Sequence, residues 1–367
     1  MKLAFLMHGG VDRSGVNRVI PAFLWFLERL AKRHDVHVFC LDQEPEPGDW
    51  PLLGMHVHNT GPARGWRRRL FSGFAAEHRR APFDVIHGFF GWGGTYGALL
   101  GWRHFLPVMF HAEGSEFVAL DDIGYGMRCT ARGRFELRIA CAGARRVTVA
   151  SKYQQSLAAS LGIVAEHVTI GVALEDWPVI PPRPRNASHL ARLLHVGDLR
   201  GVKDQRTLLA AANIMRDSGL SFHLDVAGFD TMRGELQQSV DSRSLGDMIH
   251  WHGHLDRRSL RALMEQADLL LVTSRHEAGP VVVLEAAIAG VPTVGTAVGH
   301  VSDWSPEAAV AIAAGDAAAL ARETMSLLMD EPRRLAVARA AQHRAVALNA
   351  DFTAAVLERM SMEATAS

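Results

Sequence analysis

The chain is poor in cysteine, carries no excess of either charge and contains no long apolar run. Among its 367 residues only three are cysteines, and they form no CxxC pair and no even framework. This argues against a disulfide scaffold and fits a reducing compartment. Lysine plus arginine equals aspartate plus glutamate, 39 against 39, so no global charge points to nucleic acid. Because no stretch reaches the roughly 18 apolar residues of a membrane span, we expect a cytoplasmic protein, soluble or peripheral to the membrane's inner face.

The composition is that of an ordinary globular protein, with 48% hydrophobic and 21% charged residues. At this length two domains are more usual than one. Four prolines between positions 178 and 184 crowd one short polar segment, which is the best candidate for a linker. The pattern therefore divides the chain into a first domain at 1–177, a Pro-rich linker at 178–188, a second domain at 189–347 and a C-terminal helix within 348–367.

Short apolar runs alternate with helical patterns in both halves of the chain. The predicted strands are 3–7, 36–40, 83–86, 107–111 and 147–151 in the first half, and 193–196, 222–227, 249–251, 267–272 and 291–296 in the second. Such alternation predicts an α/β protein with parallel sheets and right-handed crossovers. Two similar units joined by a linker suggest two Rossmann-like domains facing a cleft.

The most informative stretch of the chain runs from residue 273 to residue 296. A buried strand ends before it, and Val281 to Ala289 then reads as a helix that Gly290 terminates. Two carboxylates, Glu277 and Glu285, flank this strand-to-helix turn. The turn lies at the carboxyl end of a predicted parallel sheet, where open α/β folds bind ligands.

The spacing of these two glutamates argues against a double-displacement glycosidase. Eight residues along one helix separate Glu277 and Glu285 by about 12 Å, whereas that mechanism needs carboxylates about 5 Å apart. Two separate hydrogen-bonding roles, each to vicinal hydroxyls, fit better. Glu285 can alternatively be a buried helix carboxylate satisfied by backbone donors, but its apolar surroundings make a carboxylate costly there and favour a role.

Lys203 follows a predicted strand and Gly197, at the start of a helical pattern. A cation beside free backbone N–H groups at a helix start suits a diphosphate. A solvated lysine with a capping role explains the spacing equally well.

Several segments together resemble one enzyme family. The E-x7-E pattern from Glu277 to Glu285 continues into the run Ala289 to Pro292, and the segment VGDLRGVKDQRTLLAA places Lys203 on a family lysine. The first half adds Ser14-Gly15-Val16, near a glycine loop, and His111 within FHAEGSE; the second adds Val298-Gly299 and Asp303. In this order and spacing the chain resembles the retaining glycosyltransferases of the GT-B fold, the group 1 family often called GT4.

The resemblance implies a hexosyltransferase-type enzyme in which the first domain binds the acceptor, the second binds a nucleotide-sugar, and the C-terminal helix crosses back to the first domain. Glu285 would bind the ribose hydroxyls and Glu277 the transferred sugar. Lys203, helped by the Gly15 N–H, would neutralise the diphosphate, while His111 would contact the sugar's 6-hydroxyl. The remaining donor-binding positions would be Arg200, His254, Leu255, Gly279, Pro280 and Val281. No metal or other cofactor is expected.

The implied partners are a UDP- or GDP-sugar and a saccharide, lipid-linked or small-molecule acceptor, as in polysaccharide biosynthesis. Three positions depart from the family pattern: Asp198 stands where arginine is frequent, Pro280 follows Gly279 where a glycine is frequent, and His300 replaces a second glycine. Because of the first two, an impaired nucleotide-sugar-binding homologue stays open. So does a non-hydrolysing nucleotide-sugar epimerase of the same architecture.

Two other patterns have alternative explanations. His250, His252 and His254 alternate along a strand, which suggests either a metal cluster or strand-end residues. The basic, aromatic segment Arg64 to Phe71 suggests either docking on anionic lipid or a solvated helix face with core contacts.

Overall fold

The structure, a computed structural model, describes residues 1–186, 188–241 and 245–366. It divides into a first unit, Met1–Ala173 with Asn349–Ser367, and a second unit, Leu174–Leu348. Ala187 of the expected linker and Ser367 of the expected C-terminal segment lie outside the described residues.

The described residues of the first unit contain an eight-stranded sheet with the order β3-β4-β2-β1-β5-β6-β7-β8. Its strands are β1 (Lys2–Met7), β2 (Asp35–Cys40), β3 (Gly48–Leu52), β4 (Met55–Asn59), β5 (Val85–Phe89), β6 (Val108–Ala112), β7 (Arg146–Val149) and β8 (Glu166–His167). Neighbours are parallel except β3, which runs antiparallel to β4 at the edge. The apolar runs predicted the buried central strands. In β3 and β4 only alternate residues are buried, so these strands form no apolar run and were not predicted.

Six helices of the first unit are described: α1 (Pro21–Ala31), α2 (Trp66–Arg80), α3 (Phe90–His104), α4 (Ala131–Gly143), α5 (Lys152–Ser160) and α13 (Ala350–Thr365). Pro21 occupies the first turn of α1, where its missing N–H costs nothing. Helix α13 follows the whole second unit in sequence but packs on the first, and Ala350 N donates to Val172 O at 3.0 Å. This is the crossing-back helix that the resemblance implied.

The described part of the second unit is a parallel sheet with the order β11-β10-β9-β12-β13-β14. Its strands are β9 (Ala191–Val196), β10 (Phe222–Ala227), β11 (Ile249–Gly253), β12 (Leu269–Val272), β13 (Thr293–Thr296) and β14 (Val310–Ile312). Its helices are α6 (Gln205–Asp217), α7 (Glu235–Asp241), α8 (Arg257–Gln266), α9 (Val281–Ile288), α10 (Gly299–Trp304), α11 (Ala317–Met329) and α12 (Glu331–Ala347). The predicted alternation of strand and helix is confirmed in both units.

Capping side chains explain where two helices begin. Helix α6 begins at Gln205 rather than Lys203, because residues 201–203 form a 3-10 turn and the Asp204 side chain accepts from Thr207 N. Helix α13 lies within the predicted segment 348–367 and begins at Ala350, because Asn349 caps it by accepting from Phe352 N. No helix within the described ranges combines the length and the apolar character that crossing a membrane requires.

Candidate functional site

The candidate site lies at one edge of the second unit's sheet. All strands of this sheet are parallel, so the loops that follow β9, β11, β12 and β13 leave from the same edge. Those loops carry Lys203, His254, Glu277 and Gly299 respectively. The parallel topology therefore gathers residues that are far apart in sequence.

Lys203 and Glu277 form a partly buried ion pair. Lys203 Nζ lies 2.5 Å from Glu277 Oε1, and their side chains are 17% and 14% exposed. The Ser274 hydroxyl donates to the same oxygen at 2.5 Å. Burial alone would raise the pKa of Glu277, but the Lys203 charge and these two hydrogen bonds outweigh it and hold the pKa below its usual value. Glu277 is therefore an ionised acceptor beside a cation at neutral pH.

Hydrogen bonds to backbone carbonyls join the loop after β9 to the loop after β12. The Thr273 hydroxyl donates to Lys203 O at 2.8 Å, and Arg275 N donates to Val202 O at 2.7 Å. From the next loop, the Thr296 hydroxyl donates to Ser274 O at 2.6 Å. These hydrogen bonds fix the loops that carry Lys203 and Glu277. The position of the ion pair therefore does not depend on the lysine side chain alone.

Glu285 lies on α9 and is partly buried without a hydrogen-bond donor among the described residues. Burial raises the pKa of its carboxyl to about 7, although the positive charge of Arg257 acts in the opposite direction. The alternative that backbone donors satisfy this carboxylate finds no support within the described ranges. A polar ligand with hydroxyl groups would supply the missing donors.

Helix α9 begins beside the ion pair. Pro280 is its N-cap residue, no side chain caps it, and Val281 opens its first turn. The backbone of α10 approaches closely here, because an added Cβ at Gly299 would lie 2.6 Å from Pro280 Cδ and 3.2 Å from Glu277 Cβ. Gly279 and Pro280 therefore shape the turn between the two carboxylates.

The departures at Asp198 and His300 have local structural roles. Asp198 Oδ1 accepts from Phe229 N at 3.2 Å, and the Asp198 carbonyl accepts from the Gln205 side chain at 3.0 Å. His300 is 2% exposed and stacks on Trp304, so its side chain points into the protein. Arg200, by contrast, is exposed.

The loop after β11 carries an exposed aromatic pair. His254 stacks on Phe229, which follows β10, with ring centroids 4.4 Å apart and planes at 11°, and Leu255 beside it is half-buried. The family resemblance implied His254 and Leu255 as donor-binding positions but did not indicate Phe229, because an isolated aromatic residue carries no motif.

The other two histidines of this strand make pairwise contacts. His250 approaches His223 at 3.3 Å, and His252 lies 2.7 Å from Asp225. The strand histidines are not part of any three-ligand group within the described residues.

His111 lies at the carboxyl end of β6 in the first unit and is 1% exposed. Its Nε2 is 2.9 Å from His87 Nδ1, and its Nδ1 is 2.6 Å from the Thr148 hydroxyl. Burial, together with the neighbouring His87, holds the pKa of His111 well below 6.5. The imidazole is neutral, and both ring nitrogens already have protein partners, so a sugar contact would require one of these bonds to open.

Two glutamates just after His111 were not indicated by the sequence patterns. Glu116 accepts from Gly91 N at 3.0 Å and from Gly114 N at 2.8 Å. Glu113 has a buried Oε1 without a hydrogen-bond partner, and burial raises the pKa of its carboxyl well above 4.5. The sequence could have indicated them, because two carboxylates directly follow an apolar run and charge is costly next to a buried strand.

Gly15 lies in the loop after β1 with a φ of +66°. Its N–H donates to Asp12 O at 2.9 Å, closing a turn, so a phosphate contact by this group would need that turn to open.

The basic segment from Arg64 to Phe71 enters α2 at Trp66. Arg69 donates to four backbone carbonyls, and Arg67 lies over the Trp66 ring and donates to the Tyr96 hydroxyl at 2.9 Å. Two of its cations therefore serve the fold, which agrees with the solvated-helix explanation for this part of the segment.

Comparison with known families matches both units. Residues 181–344 match the family described as "Glycosyl transferases group 1", and residues 15–173 match the "Glycosyl transferase 4-like domain". Among curated proteins, a glycogen synthase of Mycobacterium tuberculosis is 32% identical over 184 residues, which is 50% of this chain and 43% of the relative. The alignment thus spans less than half of that enzyme's length. A D-inositol 3-phosphate glycosyltransferase of Arthrobacter is 23% identical over 80% of this chain and 76% of its own.

Solved structures share the fold over the whole chain. Sucrose-phosphate synthase from Thermosynechococcus elongatus superposes with a TM-score of 0.80 at 17% identity, covering 100% of this chain and 99% of its own. Anabaena HepE in complex with UDP-glucose gives 0.76 at 16% identity, covering 99% and 100%. WaaG, a glycosyltransferase involved in lipopolysaccharide biosynthesis, gives 0.68 at 20% identity and full coverage of both chains. The GT-B fold expected from the sequence is confirmed.

Proposed function

We propose that this chain, whose two units match the 4-like and group 1 glycosyl transferase domains, is a GT-B glycosyltransferase that moves a sugar from a nucleotide-sugar to a hydroxyl acceptor with retention. The observation that carries the proposal is the arrangement at the carboxyl edge of the second sheet. There a cation and an ionised carboxylate lie beside the start of α9, and α9 itself carries Glu285, a carboxylate without a hydrogen-bond donor among the described residues.

Each group has a task that its environment supports. Lys203 neutralises the leaving diphosphate, with the exposed Arg200 as a second cation. Glu277, ionised and held by Ser274, accepts hydrogen bonds from hydroxyls of the transferred sugar. Glu285 accepts from the ribose hydroxyls, which supply the donors it lacks in the ligand-free chain.

The base lies against the loop after β11. The exposed ring pair of His254 and Phe229 offers a flat face for stacking, and the Leu255 backbone lies beside it. The backbone around Gly279, Pro280 and Val281 borders the sugar, where Pro280 contributes no N–H.

The reaction is a front-face displacement without a protein base. The acceptor oxygen bonds to the anomeric carbon as the bond from that carbon to the phosphate oxygen breaks, on the same face. The departing phosphate oxygen takes the acceptor's proton. Catalysis then rests on positioning and on stabilising the charge that develops on the diphosphate, which is the role of Lys203. The step needs no metal.

We assign His111, as a catalytic residue, to the transferred sugar and Glu113 to the acceptor. The neutral His111 contacts the 6-hydroxyl of the transferred sugar by exchanging one protein partner, and the Glu113 carboxyl, whose pKa burial raises well above 4.5, hydrogen-bonds to a hydroxyl of the acceptor. UDP- and GDP-sugars are the donors to test first, with saccharide and lipid-linked acceptors. The exposed Arg64 and Arg68 are the cations of the basic segment that remain for a membrane contact.

Incubation with a panel of UDP-, GDP- and ADP-sugars tests the proposal. We expect nucleotide release with one of them, stimulated by an acceptor, and a product whose anomeric configuration, read by NMR, equals that of the donor. Inverted configuration would contradict the retaining mechanism. An altered donor sugar without transfer would indicate an epimerase, and binding without turnover would indicate an impaired homologue.

Variants test the site itself. Lys203→Ala and Glu285→Ala should each lower kcat at least about tenfold, in the range of one lost transition-state contact. Lys32→Ala serves as a matched control, because Lys32 is exposed and forms a surface ion pair with Glu28 of α1, in the first unit and outside the proposed site. Unchanged rates in both site variants, with the fold intact by circular dichroism, would reject this site.

A further inference from the structure

Three potential metal ligands meet in the first unit, near the start of β2 and β4. Asp35 and His37 are two residues apart on β2 and so share a face of the sheet, and His56 on β4 is the register partner of His37. One ligand atom of each lies within 4.8 Å of the other two. The strand register therefore brings two imidazoles and a carboxylate together from separate strands.

The distances fit one small cation. His37 Nε2 lies 3.2 Å from Asp35 Oδ1, and His56 Nε2 lies 3.9 Å from the same oxygen. Ligands about 2.0–2.1 Å from a tetrahedral zinc ion are separated by roughly 3.4 Å. The distance between His37 and Asp35 is thus close to this value. A small rotation of His56, whose side chain is 61% exposed, would shorten its distance to Asp35 to the same value.

An outer layer of hydrogen bonds orients His37. Its Nδ1 lies 2.9 Å from His58 Nε2, and His58 Nδ1 lies 3.0 Å from Asp49 Oδ1. Because the Asp49 carboxylate only accepts, a neutral His58 donates from Nδ1 and accepts at Nε2 from His37 Nδ1–H. The lone pair of His37 Nε2 then faces Asp35. Carboxylate-supported histidines of this kind surround metal ions in proteins.

In this arrangement His37 Nε2 and Asp35 Oδ1 are two hydrogen-bond acceptors 3.2 Å apart, and their contact needs a positive charge between them. A cation bound between Asp35 Oδ1 and His37 Nε2 satisfies both acceptors, and His56 on the neighbouring strand lies within reach of the same cation.

We propose that Asp35, His37 and His56 bind a divalent transition-metal ion of the zinc class, with water completing the coordination and with His58 and Asp49 as the supporting layer. Two imidazole nitrogens and one carboxylate oxygen suit zinc better than magnesium or calcium. The ion clips β2 to β4 in the first unit. It has no part in sugar transfer, and the proposal stands independently of the proposed function.

Zinc titration of the tag-free, full-length chain, stripped with chelator, tests this site. We expect about one zinc ion per chain by calorimetry and a rise in Tm on adding zinc. His56→Ala and Asp35→Asn should each weaken binding at least about tenfold. Because both side chains are exposed, the apo variants should keep the wild-type fold.

His250→Ala is the matched control, since His250 is an exposed strand histidine that contacts another histidine, His223, in the second unit. It should bind zinc as wild type does. Absence of binding to wild type in zinc excess, or equal affinity in wild type and His56→Ala, would overturn the proposal.

Discussion

Glu285 is a residue at which the role we propose for it conflicts with stability. Its carboxylate is partly buried without a donor among the described residues, and burial raises its pKa to about 7. Since the folded-state pKa exceeds the unfolded value of about 4.5, the group favours folding below pH 4.5 and loses that contribution as pH rises through 7. The proposed contact with the ribose hydroxyls would offset this cost when the nucleotide-sugar binds.

We therefore expect Glu285→Gln to stabilise the ligand-free chain at pH 8 relative to wild type, by up to about 3 kcal/mol, and to leave the free energy of unfolding unchanged at pH 4. Donor affinity should fall at the same time. Denaturant unfolding at both pH values measures the difference. Glu307→Gln, at an exposed carboxylate 3.6 Å from Arg344, should show no such pH dependence. Equal stability at pH 8 would mean that a donor satisfies Glu285.

Glu113 should matter to the acceptor and not to the donor. Burial raises the pKa of its carboxyl well above 4.5. Glu113→Gln keeps a polar side chain of the same size, whereas Glu113→Ala removes it. We expect Glu113→Ala to raise the acceptor KM with the donor affinity unchanged, and Glu113→Gln to restore most of the loss. Steady-state kinetics with each substrate varied distinguishes the two. An equal effect on both substrates would assign Glu113 to the fold.

The turn between β12 and α9 was predicted almost to the residue, because its signals are local. An apolar run and a polar break mark where β12 ends, and Gly290 marks the end of α9. The helix ends at Ile288 instead of the predicted Ala289. The ion pair between Lys203 and Glu277 joins residues 74 positions apart, so neither segment by itself predicts it.

The start of α10 sets the position of this turn. Gly299 has a φ of +51°, and a Cβ there would press on Pro280 and Glu277. We expect Gly299→Ala to displace the turn and to weaken donor binding at least about tenfold, in addition to a strain of roughly 1–2 kcal/mol. Calorimetric titration with the nucleotide-sugar measures the loss.

Gly315→Ala is the matched control for this variant. Gly315 also has a positive φ, +79°, but a Cβ there would meet open space. It should cost similar stability and leave donor affinity intact. A similar affinity loss in both variants would assign the effect to backbone strain alone.

Helix α13 makes the two ends of the chain parts of one folding unit. Arg29 pairs with Asp351 at 2.5 Å, His34 lies 2.8 Å from Glu358, and His87 lies 2.9 Å from the buried Ser361 hydroxyl. The last contact continues through His87 to His111. The C-terminal helix therefore supports the interior of the first unit and the histidine assigned to the acceptor side.

A chain that ends at Leu348 should consequently lose the first unit and keep the second. Removing α13 exposes apolar surface of α1 and leaves His87 Nε2 without its partner. Hydrogen exchange should show fast exchange in β1 and β5, with protection retained in β9 and β12. A chain that lacks only residues 366 and 367 is the control. Wild-type protection of β5 in the longer truncation would contradict this prediction.

The amino-acid sequence by itself determined the two α/β units, the central strands, the turn before α9 and the pair Glu277 and Glu285, because each is written in a local pattern of burial, glycine and charge. Only the tertiary structure decided which of these residues meet. Strand order and register placed Lys203 on Glu277, enclosed His111 between His87 and Thr148, and brought Asp35 to His56. Such contacts depend on the relative position of strands far apart along the chain, and no periodicity within one segment encodes it.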